Sequence, residues 1–225
     1  MTKTAFVLGA TGAIGKKLVN FLVESGQFSR VVLLGRRPVD NLPASKILEQ
    51  KIVDFDNIDK HADDFKDLDV GFCALGTTRG QSGADGFVKI EHDYVVNSAK
   101  VAKENGVKEF ILVSSKGVKE DTSILYYRTK ARAENECAAL GFEKTLIVRP
   151  AFLEGRDADF RWVELAAKIF YRPFKVFSPN IAVHCNDVAK AMIVGALDPE
   201  LKGKVIWGNA ELPKRAAEFE SSKQN

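Results

Sequence analysis

Six short runs of apolar residues alternate with helix-like segments along most of this chain, and this alternation restricts the fold more than any other feature. The runs cover residues 4–8, 31–35, 51–53, 70–75, 109–113 and 145–148. Strands that are apolar along nearly their whole length have both faces buried, which is typical of parallel sheets covered by helices. Because crossovers between parallel strands are right-handed, the pattern predicts a doubly wound α/β fold of the Rossmann kind.

The segments between these runs carry helical patterns. In the first of them, Ile14, Leu18, Phe21 and Leu22 recur at spacings of three and four, which places them on one helix face. Further helices are expected at residues 58–65, 87–105, 126–140, 160–171 and 187–197. The last fifteen or so residues are polar and charged, and we expect them to be frayed.

A glycine-rich loop, GATGAIG at residues 9–15, lies between the first apolar run and the first helix. Gly9 can make a sharp turn, Gly12 lets the backbone approach a pyrophosphate, and Gly15 lets the helix pack close to the sheet. The N-terminus of the helix also presents free N–H groups and a partial positive charge to phosphates. Because the loop stands between a strand and a helix, it predicts a dinucleotide site.

The end of the second strand indicates which dinucleotide is bound. NAD sites usually carry a carboxylate about 20 residues after the glycines, which binds the ribose 2′-hydroxyl. Here the strand ends in Arg36 and Arg37, without a carboxylate. Two guanidinium groups would pair with a 2′-phosphate, so we predict NADP(H), the alternative being a solvated charge pair. Asp54 could contact the adenine, and Leu75 and Gly76 could line the cofactor ribose.

A second group of polar residues could take part in catalysis. The fifth strand ends in Ser114 and Ser115, and Tyr126 and Lys130 follow at a spacing that places them on one helix face. An ordinary tyrosine, with a pKa of about 10, is a weak acid at neutral pH, and a neighbouring ammonium stabilises its phenolate. Either serine hydroxyl can hold a substrate carbonyl on which negative charge develops. The alternative is a plain surface pair, and Tyr127, without a lysine partner, is expected to pack or to line the pocket.

Charge and cysteine content exclude several classes of function. The net charge is 33 − 30 = +3, with no long basic run, which argues against electrostatic binding of nucleic acid. The three cysteines are too few and too scattered for a disulfide framework or a zinc site, and we expect no metal. No run of about 18 apolar residues could span a membrane. We therefore expect a soluble protein of the cytoplasm.

Together these motifs resemble a short-chain dehydrogenase/reductase of the extended or atypical kind. The sequences GRR at 35–37, VDF at 53–55, VGFCALGTTRG at 70–80, DYV at 93–95 and VSSKG at 113–117 are similar to those of the Tat-interacting 30-kilodalton oxidoreductases and their fungal and animal relatives. The resemblance covers roughly residues 3–170. The run at 70–80 is its most specific part, because ordinary reductases do not share it.

This resemblance implies an NADPH-binding Rossmann domain in which Tyr126 gives or takes a proton and Lys130, which can also reach the nicotinamide ribose, is its partner. It implies cofactor contacts at Thr11, Gly12, Ala13, Ile14, Arg36, Arg37, Leu75 and Gly76. It also implies one arginine beyond the sixth strand, for which Arg161 matches best by position and Arg156 is the alternative. The family's roles in transcription, nuclear import and apoptosis imply a regulatory protein partner and a presence in the nucleus as well.

Three functions compete on these grounds. We expect residues 1–225 to form one NAD(P)-binding Rossmann domain, in which residues 151–225 supply a small appendage on the substrate or partner side. The first hypothesis is an NADPH-dependent oxidoreductase acting on a small carbonyl compound. The second is an NADPH-gated regulatory protein with vestigial catalysis. The third, a nucleotide-sugar epimerase, is disfavoured by the short appendage and by the arginines at 36 and 37.

Overall fold

A wholly parallel sheet of seven strands is the centre of the computed structural model, which describes residues 2–77, 79–155 and 181–222. The strands of the molecule are β1 (Lys3–Leu8), β2 (Phe28–Gly35), β3 (Leu48–Ile52), β4 (Val70–Cys73), β5 (Glu109–Val113), β6 (Lys144–Arg149), β7 (Phe152–Glu154), β8 (Ala182–His184) and β9 (Gly203–Gly208). The large sheet has the order β3-β2-β1-β4-β5-β6-β9, and β7 and β8 form a separate parallel pair. This order is that of a doubly wound Rossmann-like fold, so the predicted fold class is confirmed.

Helices cover both faces of the large sheet. They are α1 (Ala13–Ser25), α2 (Arg79–Val88), α3 (Tyr94–Glu104), α4 (Leu125–Ala139), α5 (Cys185–Leu197) and α6 (Leu212–Ser222), with a 3-10 segment over Phe55–Phe65 and a π-helical turn over Lys89–Asp93. Successive residues of β1 point to opposite faces of the sheet. Ala5 and Val7 lie in one core with α1, α5 and α6, whereas Phe6 and Leu8 lie in another with α3 and α4. The two cores explain why the inner strands are apolar along most of their length, whereas the edge strands β3 and β9 are partly polar and exposed.

The C-terminal region differs from the sequence-based expectation. Residues 203–208 form β9, a strand that the periodicity did not predict, and it pairs with β6. The expected fraying of the last residues is wrong for most of them, because α6 packs against α5. Leu212, Ala216 and Phe219 are buried, and their spacing of four and three forms a narrow apolar stripe within a charged segment. The ring of Phe219 contacts that of Phe21 in α1, with centroids 5.7 Å apart.

The single helix predicted over residues 87–105 is interrupted. Its first part ends α2, its second part is α3, and the π-helical turn joins them. A π-helical turn inserts an extra residue and rotates the side chains that follow. Glu91 and His92 within this turn are both buried. The helix predicted at residues 160–171 lies outside the described residues.

Candidate active site

The glycine loop connects β1 to α1 by a tight path along the neighbouring strand end. Gly9 has a φ of +81°, and a Cβ atom there would lie 2.5 Å from the carbonyl oxygen of Ala74. A Cβ atom on Gly15 would lie 2.1 Å from the carbonyl oxygen of Gly9, so the first turn of α1 packs directly on the loop. Gly12 precedes that turn and accepts a hydrogen bond from the N–H of Lys16. The local backbone therefore allows only glycine at the first and last of the three positions.

A cavity of about 440 Å³ lies beside this loop, at the C-terminal ends of β1, β2 and β4. Open parallel sheets bind ligands at this edge. The cavity brings together seven of the residues that the sequence singled out for a cofactor: Gly9, Thr11, Gly12, Arg36, Arg37, Leu75 and Gly76. Ala13, Ile14 and Gly15 do not line it, because they form the first turn of α1.

One side of the cavity is positively charged. Arg36 and Arg37 line it, and so does Lys51 of β3, which the sequence analysis did not single out. Among the described residues that line this cavity, none is acidic. The side chain of Gln50 also lines it and accepts a hydrogen bond from the N–H of Val39 at 2.7 Å. Such a cavity favours an anionic ligand.

Asp54 is a predicted adenine contact that has a different local partner in the structure. Its carboxylate accepts hydrogen bonds from the side-chain amide of Asn57 at 2.8 Å and from the N–H of Asp56 at 3.0 Å. These bonds stabilise the ionised form and lower the pKa of Asp54 below its ordinary value. Asp54 does not line the cavity, whereas the next residue, Phe55, does.

Tyr126 and Lys130 lie one turn apart on α4, with very different exposure. The side chain of Lys130 is 10% exposed, whereas Tyr126 is 38% exposed. The ring of Tyr126 packs between those of Phe87 and Tyr127, with centroid distances of 5.7 and 5.3 Å. A buried ammonium thus lies below a phenol that solvent and small molecules can reach.

The two serines after β5 differ in their hydrogen bonds. Ser114 is buried, and among the described residues its hydroxyl oxygen has no hydrogen-bond partner. Its backbone N–H donates to the carbonyl oxygen of Val148 at 2.8 Å, which holds the residue at the end of the strand. The hydroxyl of Ser115 donates to the carbonyl oxygen of Lys116 at 3.3 Å. The Ser114 hydroxyl is therefore the one of the two whose hydrogen-bonding capacity the described residues leave unused.

Glu91 is a site residue that the sequence analysis missed. One of its carboxylate oxygens lies 2.6 Å from the ammonium of Lys130, and the other accepts the N–H of Thr77 at 2.7 Å. Burial by itself lowers the pKa of Lys130, but the negative charge of Glu91, together with the nearby Tyr126, outweighs it and raises that pKa above its ordinary value. A usable signal was the acidic residue four positions after Phe87 and four before Val95, on an apolar helix face.

The remaining sequence-based predictions concern an arginine that contacts the cofactor, a metal site and a membrane-spanning helix. Arg161 and its alternative Arg156 lie outside the described residues. Within residues 2–77, 79–155 and 181–222, no group of three or more metal-ligating side chains could hold an ion. In the same part of the chain, every helix is too short or too polar to cross a bilayer.

Known proteins resemble this chain over most of its length. The sequence profile of an NAD(P)H-binding family matches residues 9–194. Protein HTATIP2 of Rattus norvegicus is 37% identical over 203 residues, which are 88% of this chain and 82% of that protein. This chain belongs to the NAD(P)H-binding, short-chain dehydrogenase/reductase-like family that includes HTATIP2. Another member, the mitochondrial protein FMP52 of Debaryomyces hansenii, is 33% identical over 212 residues, or 89% of this chain and 90% of that protein.

More distant proteins of known structure share the fold of this family member. MoeE5 in complex with UDP-glucose and NAD superimposes with a TM-score of 0.71 at 19% identity, covering 97% of this chain and 82% of MoeE5. A UDP-galactose 4-epimerase superimposes with a TM-score of 0.69 at 19% identity, covering 91% of this chain and 76% of the epimerase. At these identities the likeness shows the fold and not the substrate.

Proposed function

We propose that this protein is an NADPH-dependent oxidoreductase that reduces a small carbonyl compound. The observation that carries the proposal is an unbroken set of contacts from the cofactor cavity to the tyrosine–lysine pair. Gly76 lines the cavity, the next residue, Thr77, donates its N–H to Glu91, and Glu91 pairs with Lys130 one helical turn from Tyr126. One loop and one buried carboxylate thus connect the candidate cofactor site to the tyrosine–lysine pair.

The preference for NADPH over NADH is supported by the charge of the cavity. Arg36, Arg37 and Lys51 line it, and no described lining residue is a carboxylate that could accept the 2′-hydroxyl of NADH. The planar guanidinium groups match the geometry of a phosphate, so a 2′-phosphate would find several donors there. The glycine loop, where a side chain at position 9 or 15 would collide with backbone, fits a pyrophosphate held near the N-terminus of α1.

NADPH, when bound, supplies the hydride for reduction of a carbonyl carbon. The hydroxyl of Ser114, which has no partner among the described residues, donates a hydrogen bond to the substrate oxygen as negative charge develops there. Tyr126 then donates its phenolic proton to that oxygen as a general acid. The ammonium of Lys130 stabilises the phenolate that remains, and the exposed position of Tyr126 lets it take a proton back from water.

The decisive experiment is a screen of carbonyl compounds for oxidation of NADPH by the purified protein. We expect at least one small aldehyde or ketone to be reduced, with NADH a much poorer donor, since its 2′-hydroxyl offers no charge to the arginines. If no carbonyl compound is turned over although NADPH binds, the NADPH-gated regulatory function predicted from the sequence takes the place of the enzyme.

The cytoplasmic location predicted from the sequence stays a prediction. The name of the relative FMP52 supports the mitochondrion as a competing location for this chain. Fractionation of cells that carry the tagged protein distinguishes the two, since a mitochondrial protein would resist added protease until the organelle is opened.

A further inference from the structure

Glu91 is a buried acid with two partners from different parts of the site. Its side chain is 3% exposed. One oxygen pairs with the ammonium of Lys130 on α4, and the other accepts the N–H of Thr77 in the loop after β4. A Cβ atom on Gly76 would lie 3.3 Å from this second oxygen, so the loop fits closely around the carboxylate. Glu91 reaches both partners from the π-helical turn, where the helix is locally wider.

A buried ammonium depends strongly on such a partner. Removing an ammonium from water is costly unless an opposite charge and hydrogen bonds replace the lost hydration. Among the described residues, the other titratable groups that act on Lys130 are Tyr126 on its own helix and Cys73 at the end of β4. Burial raises the pKa of the Cys73 thiol to about 12, so this group stays neutral and provides no counter-charge. Glu91 is therefore the carboxylate that keeps Lys130 protonated.

We propose that Glu91 is a positioning residue that holds Lys130 charged beside Tyr126 and ties it to the cofactor loop at Thr77. The inference rests on the proposed oxidoreductase function, because Lys130 matters there as the partner of the phenol and, as the family resemblance implies, as a group that reaches the nicotinamide ribose. Binding of the cofactor at the loop and proton transfer at Tyr126 then depend on one carboxylate.

Glu91→Gln tests this inference because the amide keeps an oxygen for the Thr77 N–H but removes the charge. Without that charge, less opposes the effect of burial, and the pKa of Lys130 falls. The ammonium is then lost at a lower pH than in the parent protein. Because the pKa of Lys130 in the parent protein lies above its ordinary value, the parent should keep its NADPH affinity between about pH 7 and pH 10, measured by calorimetry, whereas the affinity of the variant should fall roughly tenfold within this range.

Glu136→Gln is the matched control. Glu136 lies on α4, the helix of Lys130, and pairs with His92 of the π-helical turn at 2.8 Å, but it does not contact Lys130. Its affinity profile should coincide with that of the parent protein. Coinciding profiles for Glu91→Gln and the parent would overturn the inference.

The melting temperature provides a second test that does not require turnover. Glu91→Gln should lower it by roughly 5 °C or more, because a buried charge loses its partner. In a Lys130→Met background the same change should cost much less or stabilise, since no ammonium is left unpaired. If Glu91→Gln alone fails to fold, recovery of folding in the double variant supports the pair, whereas an equal cost in both backgrounds overturns it.

The two proposals fail in different ways. A parent protein that binds NADPH but reduces no carbonyl compound refutes the oxidoreductase, and the affinity profiles still decide the role of Glu91. An active parent whose Glu91→Gln variant has unchanged pH profiles for kcat and for NADPH affinity refutes the positioning role alone. If both hold, the alkaline decline of kcat should move to lower pH in the variant, while KM for the carbonyl compound changes little.

Discussion

At the scale of single residues, Tyr126 and Tyr127 are adjacent aromatic side chains of which only the first has a lysine four positions on. Tyr126→Phe keeps the ring and its packing against Phe87 but removes the hydroxyl that would carry the proton. We expect NADPH-dependent turnover to fall by about 10² or more, with little change in cofactor affinity. Steady-state kinetics and calorimetry measure the two. If Tyr127→Phe abolishes activity while Tyr126→Phe keeps it, the catalytic assignment is wrong.

Ser114 and Ser115 form a second matched pair. The buried hydroxyl of Ser114 has no partner among the described residues, whereas that of Ser115 donates to a backbone carbonyl. Loss of one donor to a developing oxyanion costs about 10² to 10³ in kcat. We therefore expect Ser114→Ala to lower kcat by this order and Ser115→Ala to change it only slightly. The reverse result in the same assay would assign the substrate contact to Ser115.

We expect Arg36 and Arg37 to decide the preference between cofactors. We expect the parent protein to bind NADPH more tightly than NADH, and the double variant Arg36→Ala/Arg37→Ala to bind NADPH about 10- to 100-fold more weakly, because charged hydrogen bonds to phosphate are lost. Affinity for NADH should change little. Calorimetric titration of both cofactors measures this. Arg30→Gln is the control, since Arg30 lies on β2, the strand just before the two arginines, but pairs with Glu49 away from the cavity. Equal affinities in the parent would refute the preference.

At the scale of secondary-structure elements, the C-terminal helix α6 completes one core of the sheet. Phe219 is 2% exposed and contacts Phe21 of α1. Truncation of a buried aromatic ring to alanine costs about 3–5 kcal/mol, so Phe219→Ala should lower the free energy of unfolding by this order. Glu218→Ala on the exposed face should change it by less than about 1 kcal/mol. Denaturant titration compares them, and equal effects would mean that α6 contributes nothing to the core.

At the scale of the whole molecule, ligand binding and stability are linked through the cavity. A ligand that binds only the folded state at about 100 times its Kd adds about 2.7 kcal/mol, and we expect NADPH to raise the melting temperature by roughly 5 °C or more. Gly12→Val should abolish the shift, because a branched side chain there would block the approach of the pyrophosphate to the backbone. Its Cβ atom would also lie 3.3 Å from the carbonyl oxygen of Gly9. A scan with and without NADPH measures it. A parent protein that shows no shift would contradict the cofactor site.

The sequence by itself determined the features that depend on neighbouring residues. Apolar runs with helical segments between them predicted the five inner strands of the large sheet, since two covered faces require apolar side chains at most positions. The run at residues 51–53 overlaps only the last two residues of the edge strand β3, most of which is polar and exposed. The loop at residues 9–15 predicted the position of the cavity, because a close turn before a helix needs glycine whatever lies elsewhere in the chain. The spacing of Tyr126 and Lys130 predicted their common helix in the same way.

Only the tertiary structure decided the features that depend on contacts between distant residues. β9 is half exposed at the edge of the sheet and carries lysine and glycine, so its pairing with β6 was not visible in its composition. In the sequence, Glu91 resembles any other acidic residue of a helix. Its role depends on the π-helical turn, which brings it to Lys130, 39 positions further on (130 − 91). In each case the role of the segment or residue depends on a partner that is distant in the sequence, and the local pattern of residues does not indicate which partner it is.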